Sequence, residues 1–173
     1  MNRKLNEEFF HRDCLAVAPE LVGKVLVRRL DDGRVIRERI AETEAYRGEE
    51  DLACHASKGR TPRTELLYGR SGMIYVYLCY GMHWLMNVIT GEEGFPQGVL
   101  LRAGTEHGGP AKMTKYLQID GSFNGQRIVG NDRIWIEDDG FSTDIHTAAR
   151  VGVDYAGEYW KNIEWRFIMG GKG

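Results

Sequence analysis

The sequence predicts a single compact α+β domain on a curved, mainly antiparallel sheet, with a protruding β-hairpin and a few helices. Strand-like runs flank two glycine-containing turns, one at Asp31–Gly33 and one at Gly81, which is the pattern of β-hairpins. The 173 residues favour one domain, expected to span residues 1–173 with short tails. With 22 glycines and only 4 prolines, tight turns are favoured over rigid linkers.

Each element has its own local signal. Asp13 is a plausible N-cap for the first helix, and Pro110 stands where the first turn of the second helix is expected. Residues 51–71 are polar and rich in turn formers, which predicts a surface loop. The predicted elements are, in chain order, a helix over 13–22, strands over 24–30, 34–46, 73–80, 83–89 and 99–103, a helix over 111–119, and strands over 133–137 and 165–169.

The number and spacing of the cysteines argue against disulfide bonds and metal sites. The cysteines Cys14, Cys54 and Cys79 are odd in number and far apart, and none forms a Cys-x-x-Cys pair. The histidines are too scattered to suggest a shared metal site. We therefore expect no metal, no cofactor and free thiols in a reducing cytoplasm. No stretch approaches the ~18 apolar residues of a membrane span, so we expect no membrane partner.

The formal net charge of −2 argues against a strongly basic nucleic-acid binder, but the local charges differ from their sum. Residues 55–75 hold four basic side chains against Glu65, whereas residues 38–51 and 131–144 are each strongly acidic. A basic segment of this kind is usually a solvated surface. It also suits contacts with phosphates, with weak non-specific affinity for DNA and a steep dependence on salt.

Two carboxylates at the end of the first hairpin are candidates for catalysis. On a strand, Glu42, Glu44 and Tyr46 share one face. Carboxylates about 7 Å apart oppose each other's ionisation, and burial raises a carboxyl pKa further, which suits a general base near neutral pH. The alternative is a solvated acidic rim, because residues 49–51 are acidic as well.

The tip of the second hairpin carries large side chains. Tyr75 and Trp84 are explained equally well as core residues, whereas Tyr80 and Met82 stand beside the turn at Gly81, where large residues make a poor core. Such a tip is either a docking knob for a partner or a wedge that enters a groove of DNA and unstacks a base step.

Taken together, these segments resemble the alkyladenine (3-methyladenine) DNA glycosylase family. Each matching piece alone is weak evidence for the family, but the order and spacing of the pieces over about residues 13–168 are specific to it. The matching pieces are Gly23–Leu30, Glu42–Tyr46, Asp51–His55, Thr61–Arg63, Tyr75–Tyr77, Tyr80–Met82, Asn87, Val99–Ala103, Gly109–Pro110, Ala148–Val153 and Ala156–Glu158.

The resemblance implies a base-excision repair enzyme. It would flip an alkylated or deaminated purine from double-stranded DNA and hydrolyse its N-glycosidic bond, leaving an abasic site. Glu44 would be the general base that activates water, and Arg102 and the main-chain carbonyl of Val151 would hold that water. No lysine lies in the matching pieces that carry these roles to attack C1′, so a monofunctional glycosylase without metal or cofactor is expected.

The resemblance also implies the residues that bind DNA. The base-binding residues would be Tyr46 and Tyr77, stacked on the everted base, His55 opposite them or donating a hydrogen bond, and Asn87 as a steric gate against the amino group of guanine. The residues that contact the duplex would be Tyr80, filling the gap, Met82 beside it, and Arg63 on a phosphate. A monomer at the nucleoid in the cytoplasm is expected.

Two other functions stay open on the residues themselves. One is a non-catalytic module that binds damaged DNA. The other, a carbohydrate hydrolase using Glu42 and Glu44, is poor because those enzymes need carboxyls on either side of one bond. The chain departs from the family pattern in a short segment at Thr105–Gly109, in His83 at an often aromatic position, and in its end at Gly170–Gly173.

Overall fold

A nine-stranded antiparallel sheet organises the chain in this computed structural model, which describes residues 2–171. The end of the predicted C-terminal tail, Lys172 and Gly173, lies outside the described residues. The strands are β1 (Arg3–Lys4), β2 (Val25–Arg29), β3 (Val35–Arg47), β4 (Ile74–Cys79), β5 (His83–Ile89), β6 (Gln97–Gly104), β7 (Ile134–Asp138), β8 (Ile145–Ala148) and β9 (Arg166–Met169).

The helices are short. The α-helices are α1 (Glu7–Phe10), α2 (Cys14–Leu21), α3 (Pro110–Tyr116) and α4 (Gly157–Asn162), and 3₁₀ helices cover His55–Lys58, Glu65–Tyr68, Gly121–Phe123 and Asp154–Ala156. Within residues 2–171, no helix combines the length and the apolar character that a membrane span requires. The α+β class predicted from the sequence is confirmed, as are both hairpins and the N-cap of α2.

The long strand β3 joins the two halves of the sheet. Its first part pairs with β2 at Val35–Arg39, and its second part pairs with β6 up to Arg47. The order of the main path is β1-β7-β2-β3-β6-β5-β4, while β9 pairs with β3 and β8. Register shifts toward β6 on either side of Glu42 mark a bulge, whereas the pairing of Glu42 with β9 is regular.

The hydrophobic core packs around β3 and β6, the two strands that carry Glu44 and Arg102. Helix α2 packs on β3, and α3 packs on β5 and β6. The largest completely buried side chains include Phe10 before α2 and Phe123 in the third 3₁₀ helix. Burying one side chain of this size stabilises a fold by about 1.5–3 kcal/mol relative to leaving it in water.

Residues 51–71 are not the surface loop that their composition predicts. Two 3₁₀ helices lie in this segment, and Asp51, Cys54, Leu67 and Tyr68 are buried. The prediction failed because the polar residues of the segment find partners inside the protein: Asp51, for example, is completely buried in an ion pair with Arg150. Sequence patterns also missed the short elements β1, β8, α1 and α4.

We expect Asp13→Ala to lower the free energy of unfolding by about 1–2 kcal/mol. The Asp13 carboxylate accepts the main-chain N–H of Leu15 at 2.9 Å, and it also accepts Arg47 Nε at 2.8 Å. Urea unfolding followed by circular dichroism measures the loss. The control is Lys115→Ala on the exposed side of α3, where we expect a change within about 0.5 kcal/mol. Equal values for the two variants would contradict the capping role.

Candidate active site

A cavity of about 510 Å³ opens between the second hairpin and the middle of the sheet. Its volume lies in the range of sites that bind small organic ligands. Eight of the ten site residues predicted from the sequence line this cavity: Glu44, Tyr46, His55, Tyr77, Tyr80, Asn87, Arg102 and Val151. The other two, Arg63 and Met82, do not belong to its lining.

Glu44 presents the only acidic side chain of that lining, and it is almost completely buried, with 1% exposure. One carboxylate oxygen accepts the Tyr46 hydroxyl at 3.0 Å, and the other accepts the main-chain N–H of Val151 at 2.7 Å. Arg102 Nε lies 3.9 Å from the second oxygen. Burial raises the pKa of Glu44, and the Val151 amide and Arg102 offset part of that rise. A buried carboxyl with a raised pKa is suited to general base chemistry.

Glu42 does not share this site, although strand alternation predicts that it does. The pairing of residues 42–44 with β9 is regular, but the Glu42 side chain does not line the cavity. Its carboxylate lies 3.5 Å from the Arg166 guanidinium on β9 instead. The raised pKa of Glu44 therefore has burial as its largest cause rather than repulsion from a second carboxylate.

The aromatic side chains that line the cavity include a cluster of His55, Tyr46, Tyr75 and Tyr77, which is uncharged at neutral pH. The rings of His55 and Tyr77 meet edge to face with centroids 4.6 Å apart, and His55 Nδ1 lies 2.8 Å from the Tyr75 hydroxyl. Burial raises the pKa of Tyr46 and of Tyr77 well above the phenol range. Burial, together with nearby Arg63, lowers the pKa of His55 to about 4. The cavity thus offers planar π surfaces and a neutral imidazole.

The lowered pKa of His55 predicts a pH dependence of stability. Between pH 6.5 and about 4, an unfolded chain takes up a proton at His55 that the folded protein does not bind. Unfolding is then favoured as the pH falls through this window. We expect His55→Gln to flatten this part of the curve of unfolding free energy against pH, measured by urea titration. The control is exposed His83→Gln, and a slope that His55→Gln leaves unchanged would contradict the assignment.

Asn87 lies on β5 opposite Tyr75 of β4. The side chain is buried, and its Nδ2 donates to the main-chain carbonyl of Tyr75 at 3.2 Å. This hydrogen bond fixes the amide against the wall of the cavity. Any planar ligand that enters between the tyrosines meets Asn87 as a fixed polar group rather than a mobile one.

The tip of the second hairpin projects into solvent. Tyr80 is 90% exposed and Met82 is 69% exposed. Tyr80 also adopts a φ of 52°, a left-handed conformation that is unfavourable for a bulky side chain. An exposed aromatic ring and local strain contribute nothing to folding, so this arrangement indicates a role in contact with another molecule.

The basic segment is less available than its composition predicts. Arg70 forms two hydrogen bonds to Glu7, at 2.6 and 2.7 Å, and Arg60 lies 3.5 Å from Glu65. Within residues 2–171, Lys58 and Arg63 have no carboxylate partner within ion-pair distance. Arg63 is exposed beside the cavity, and its guanidinium lies 5.6 Å from the centroid of the Tyr77 ring. Lys58 and Arg63 are therefore available to bind an anion such as a phosphate.

Sequence reasoning assigned no role to three residues around the cavity, although Asp51 and Arg150 stand in pieces that match the family. Arg150 and Asp51 form a buried ion pair behind Tyr46, and the exposed Tyr155 lines the cavity while its hydroxyl donates to the carbonyl of Ala53 at 3.0 Å. The available signals were the position of Arg150 directly before Val151 and that of Asp51 at the start of the piece that carries His55. In the described part of the chain, no group of three or more His, Cys, Asp and Glu side chains is arranged to hold a metal ion.

Comparison with known proteins identifies the family of this chain. A family model described as methylpurine-DNA glycosylase (MPG) matches residues 8–108 and 105–173. The chain belongs to this family. A relative from Desulfitobacterium hafniense is 43% identical over 195 residues, covering 96% of this chain and 95% of the relative. One from Anaeromyxobacter sp. is 46% identical over 177 residues, covering 97% and 90%. Both are named "Putative 3-methyladenine DNA glycosylase".

Membership of the methylpurine-DNA glycosylase family confirms the resemblance and the assignment to DNA glycosylases. The matches to the family model reach from α1 to the end of the chain, so they include every residue that lines the cavity. A third relative, from Methanocella arvoryzae, is 40% identical over 183 residues, covering 94% of this chain and 90% of the relative.

Proposed function

We propose that this glycosylase removes alkylated or deaminated purines from double-stranded DNA by hydrolysing the N-glycosidic bond of a flipped nucleotide. The observation that carries the proposal is the position of Glu44, a buried carboxylate with a raised pKa on the wall of an aromatic cavity. A cavity of about 510 Å³ has room for a purine. Family membership supports the class of reaction.

Flipping the nucleotide costs a few kcal/mol and is easiest for a damaged base with weak pairing, which supplies part of the selectivity. Stacking on Tyr46 and Tyr77 returns about 1–3 kcal/mol per contact. His55, neutral at pH 7, faces the base as a hydrogen-bonding group, and Asn87 obstructs the exocyclic amino group of guanine. Normal guanine is thereby excluded by shape.

The hydrolysis needs one base and one water. Glu44 takes a proton from water as the water oxygen forms a bond to C1′, while the bond from C1′ to the purine breaks and its electron pair leaves with the base. Arg102 and the carbonyl of Val151 orient the water. The main-chain amide of Val151 has a further role, because its hydrogen bond at 2.7 Å holds the carboxylate in place. The products are a free purine and an abasic site.

The duplex is held from the cavity mouth. Tyr80 fills the space left by the flipped nucleotide, Met82 packs beside it, and Arg63 contacts a backbone phosphate. The enzyme works as one monofunctional glycosylase domain and as a monomer, without metal or cofactor, at the nucleoid in the cytoplasm.

The test is base release from duplexes that each contain 3-methyladenine, 7-methylguanine, hypoxanthine or ethenoadenine. We expect free purine and alkali-labile abasic sites, with no strand cleavage before alkali treatment. Binding of these duplexes without release would favour the alternative, a module that only recognises damage. Trapping of a covalent imine with borohydride would contradict the monofunctional mechanism.

A further inference from the structure

We propose that Arg150, held by Asp51, is a positioning residue for the general base: it fixes the main-chain amide of Val151 against Glu44 and the ring of Tyr46 against the cavity. This inference rests on the proposed function of Glu44. It concerns a pair of residues that themselves lie outside the lining of the cavity and that the mechanism above does not use.

The ion pair between Arg150 and Asp51 is completely buried, with both side chains at 0% exposure. Arg150 Nη1 donates to one carboxylate oxygen at 2.6 Å, and Nη2 donates to the other at 2.9 Å. Such a fork fixes the plane as well as the position of a guanidinium. Asp51 is fixed in turn by the main-chain N–H groups of Arg47 and Ala53, each at 3.0 Å.

The same guanidinium contacts three segments of the chain that surround the cavity. Its Nη1 also donates to the carbonyl of Ala45 on β3 at 2.9 Å, directly between the two site residues of that strand. Nη2 lies 3.3 Å from the carbonyl of Trp160 on α4. The guanidinium carbon lies 4.8 Å from the centroid of Tyr46. Asp51 adds the segment that carries His55, so one buried cation connects β3, the 51–55 segment and the 150–160 segment.

The consequence for Glu44 follows from the next residue of the chain. Val151 lies in a segment without helix or strand, and its N–H donates to Glu44 at 2.7 Å. No secondary structure holds this amide in place, so its position depends on the anchored side chain of Arg150. Displacing a reacting group by about 1 Å can cost 100-fold in rate, so such an anchor affects catalysis without touching the substrate.

The charge of Arg150 also favours the basic form of Glu44, in addition to the effect of its position. The groups that face Glu44 are Tyr46 on its own strand, Tyr77 from β4, Tyr155 from the fourth 3₁₀ helix, Arg102 from β6 and Arg150 from the segment after β8. The three tyrosines are neutral at pH 7, so the two arginines are the cations of the set. Arg150 and the Val151 amide each lower the pKa of Glu44 and so favour its ionised, basic form.

The experiment compares Arg150→Met, the double variant Asp51→Asn/Arg150→Met, and Arg39→Met as a matched control. Arg39 lies on the same strand as Glu44 and forms its own fork with Asp139, at 3.1 and 2.7 Å, but it does not line the cavity. The double variant leaves no buried charge without a partner. It is therefore expected to fold even if Arg150→Met alone, which leaves Asp51 buried without its cation, does not. Thermal unfolding reports the folded fraction.

Two readouts are needed. The Glu44 carboxyl is titrated by ¹³C NMR with labelled glutamate and assigned with Glu44→Gln, and base release is measured in single turnover per folded molecule. Without Arg150 we expect Glu44 to titrate at higher pH and release at pH 7 to fall about 100-fold, whereas Arg39→Met changes neither. A slower rate with an unmoved titration means a general structural role and overturns the inference, as does a wild-type rate.

The proposed function is judged separately in the same experiment. A wild-type protein that releases no base overturns the proposed function. The titration of Glu44 does not depend on activity, so it still decides whether Arg150 sets the state of this carboxyl.

Discussion

Glu44→Gln is expected to lower the rate of base release by about 100-fold or more while leaving binding of a lesion duplex intact. Glutamine has the shape of glutamate, so its Oε1 accepts the Val151 N–H and its amide donates to the Tyr46 hydroxyl, in the places of the present 2.7 and 3.0 Å contacts. The cavity therefore stays assembled, and only the group that accepts a proton from water is lost. Single-turnover release of hypoxanthine, with binding measured on the same duplex, separates the two effects.

Glu42→Gln is the matched control for this experiment. Glu42 lies two residues away on β3, but its carboxylate faces Arg166 rather than the cavity. We expect wild-type release from this variant. Release by Glu44→Gln at the wild-type rate would show that Glu44 is not the general base.

The pH profile gives a second check on the same carboxyl. Because burial raises the pKa of Glu44, the ionised form is lost as the pH falls through a value above that of an ordinary glutamate. We expect wild-type release to decline on this acidic limb, and Glu44→Gln to show no such limb in its residual activity. An identical acidic limb in both proteins would assign it to another group.

Tyr80→Ala is expected to weaken binding of a lesion duplex by about 10–100-fold, and to weaken binding of the same lesion in single-stranded DNA much less. One stacking contact is worth about 1–3 kcal/mol, and about 1.4 kcal/mol corresponds to tenfold in affinity. Only a duplex has a gap for the ring to fill. Since Tyr80 is 90% exposed, its loss removes no core packing and leaves the free energy of unfolding nearly unchanged.

Tyr159→Ala provides the control for Tyr80. Tyr159 is similarly exposed, at 69%, but it lies on α4 and does not line the cavity. Fluorescence anisotropy with matched duplex and single-stranded probes gives both affinities. Equal losses on the two probes for Tyr80→Ala would mean that the hairpin tip does not intercalate.

The sequence predicted the local architecture of the site well, because local rules act over a few residues. Asp31–Gly33 and Gly81 set the two hairpins, and Asp13 caps α2 as its side chain chemistry indicates. The hairpin turn at Gly81 was enough to predict that Tyr80 is exposed. The same local reasoning failed at Glu42, because alternation along a strand does not show which partner a side chain meets: Glu42 lies beside Arg166 and not in the cavity.

The resemblance to a glycosylase family supplied the candidate residues. It did not show which of their neighbours fix the positions of their side chains. Eight of the candidate residues line one cavity, although they are spread along the chain from Glu44 to Val151. Arg60 and Arg70 illustrate the limit of composition: both count as positive charge in the sequence, yet carboxylates lie beside both in the fold.

What the sequence alone determined, then, is the succession of strands and turns, the exposed hairpin tip and the candidate chemistry of Glu44. Only the tertiary structure decided the state of that carboxyl. Val151 lies 107 residues from Glu44, and Arg150 lies 99 residues from Asp51. Burial and charge pairing depend on which distant segments pack together, and no local pattern encodes the loss of water that raises the pKa of Glu44.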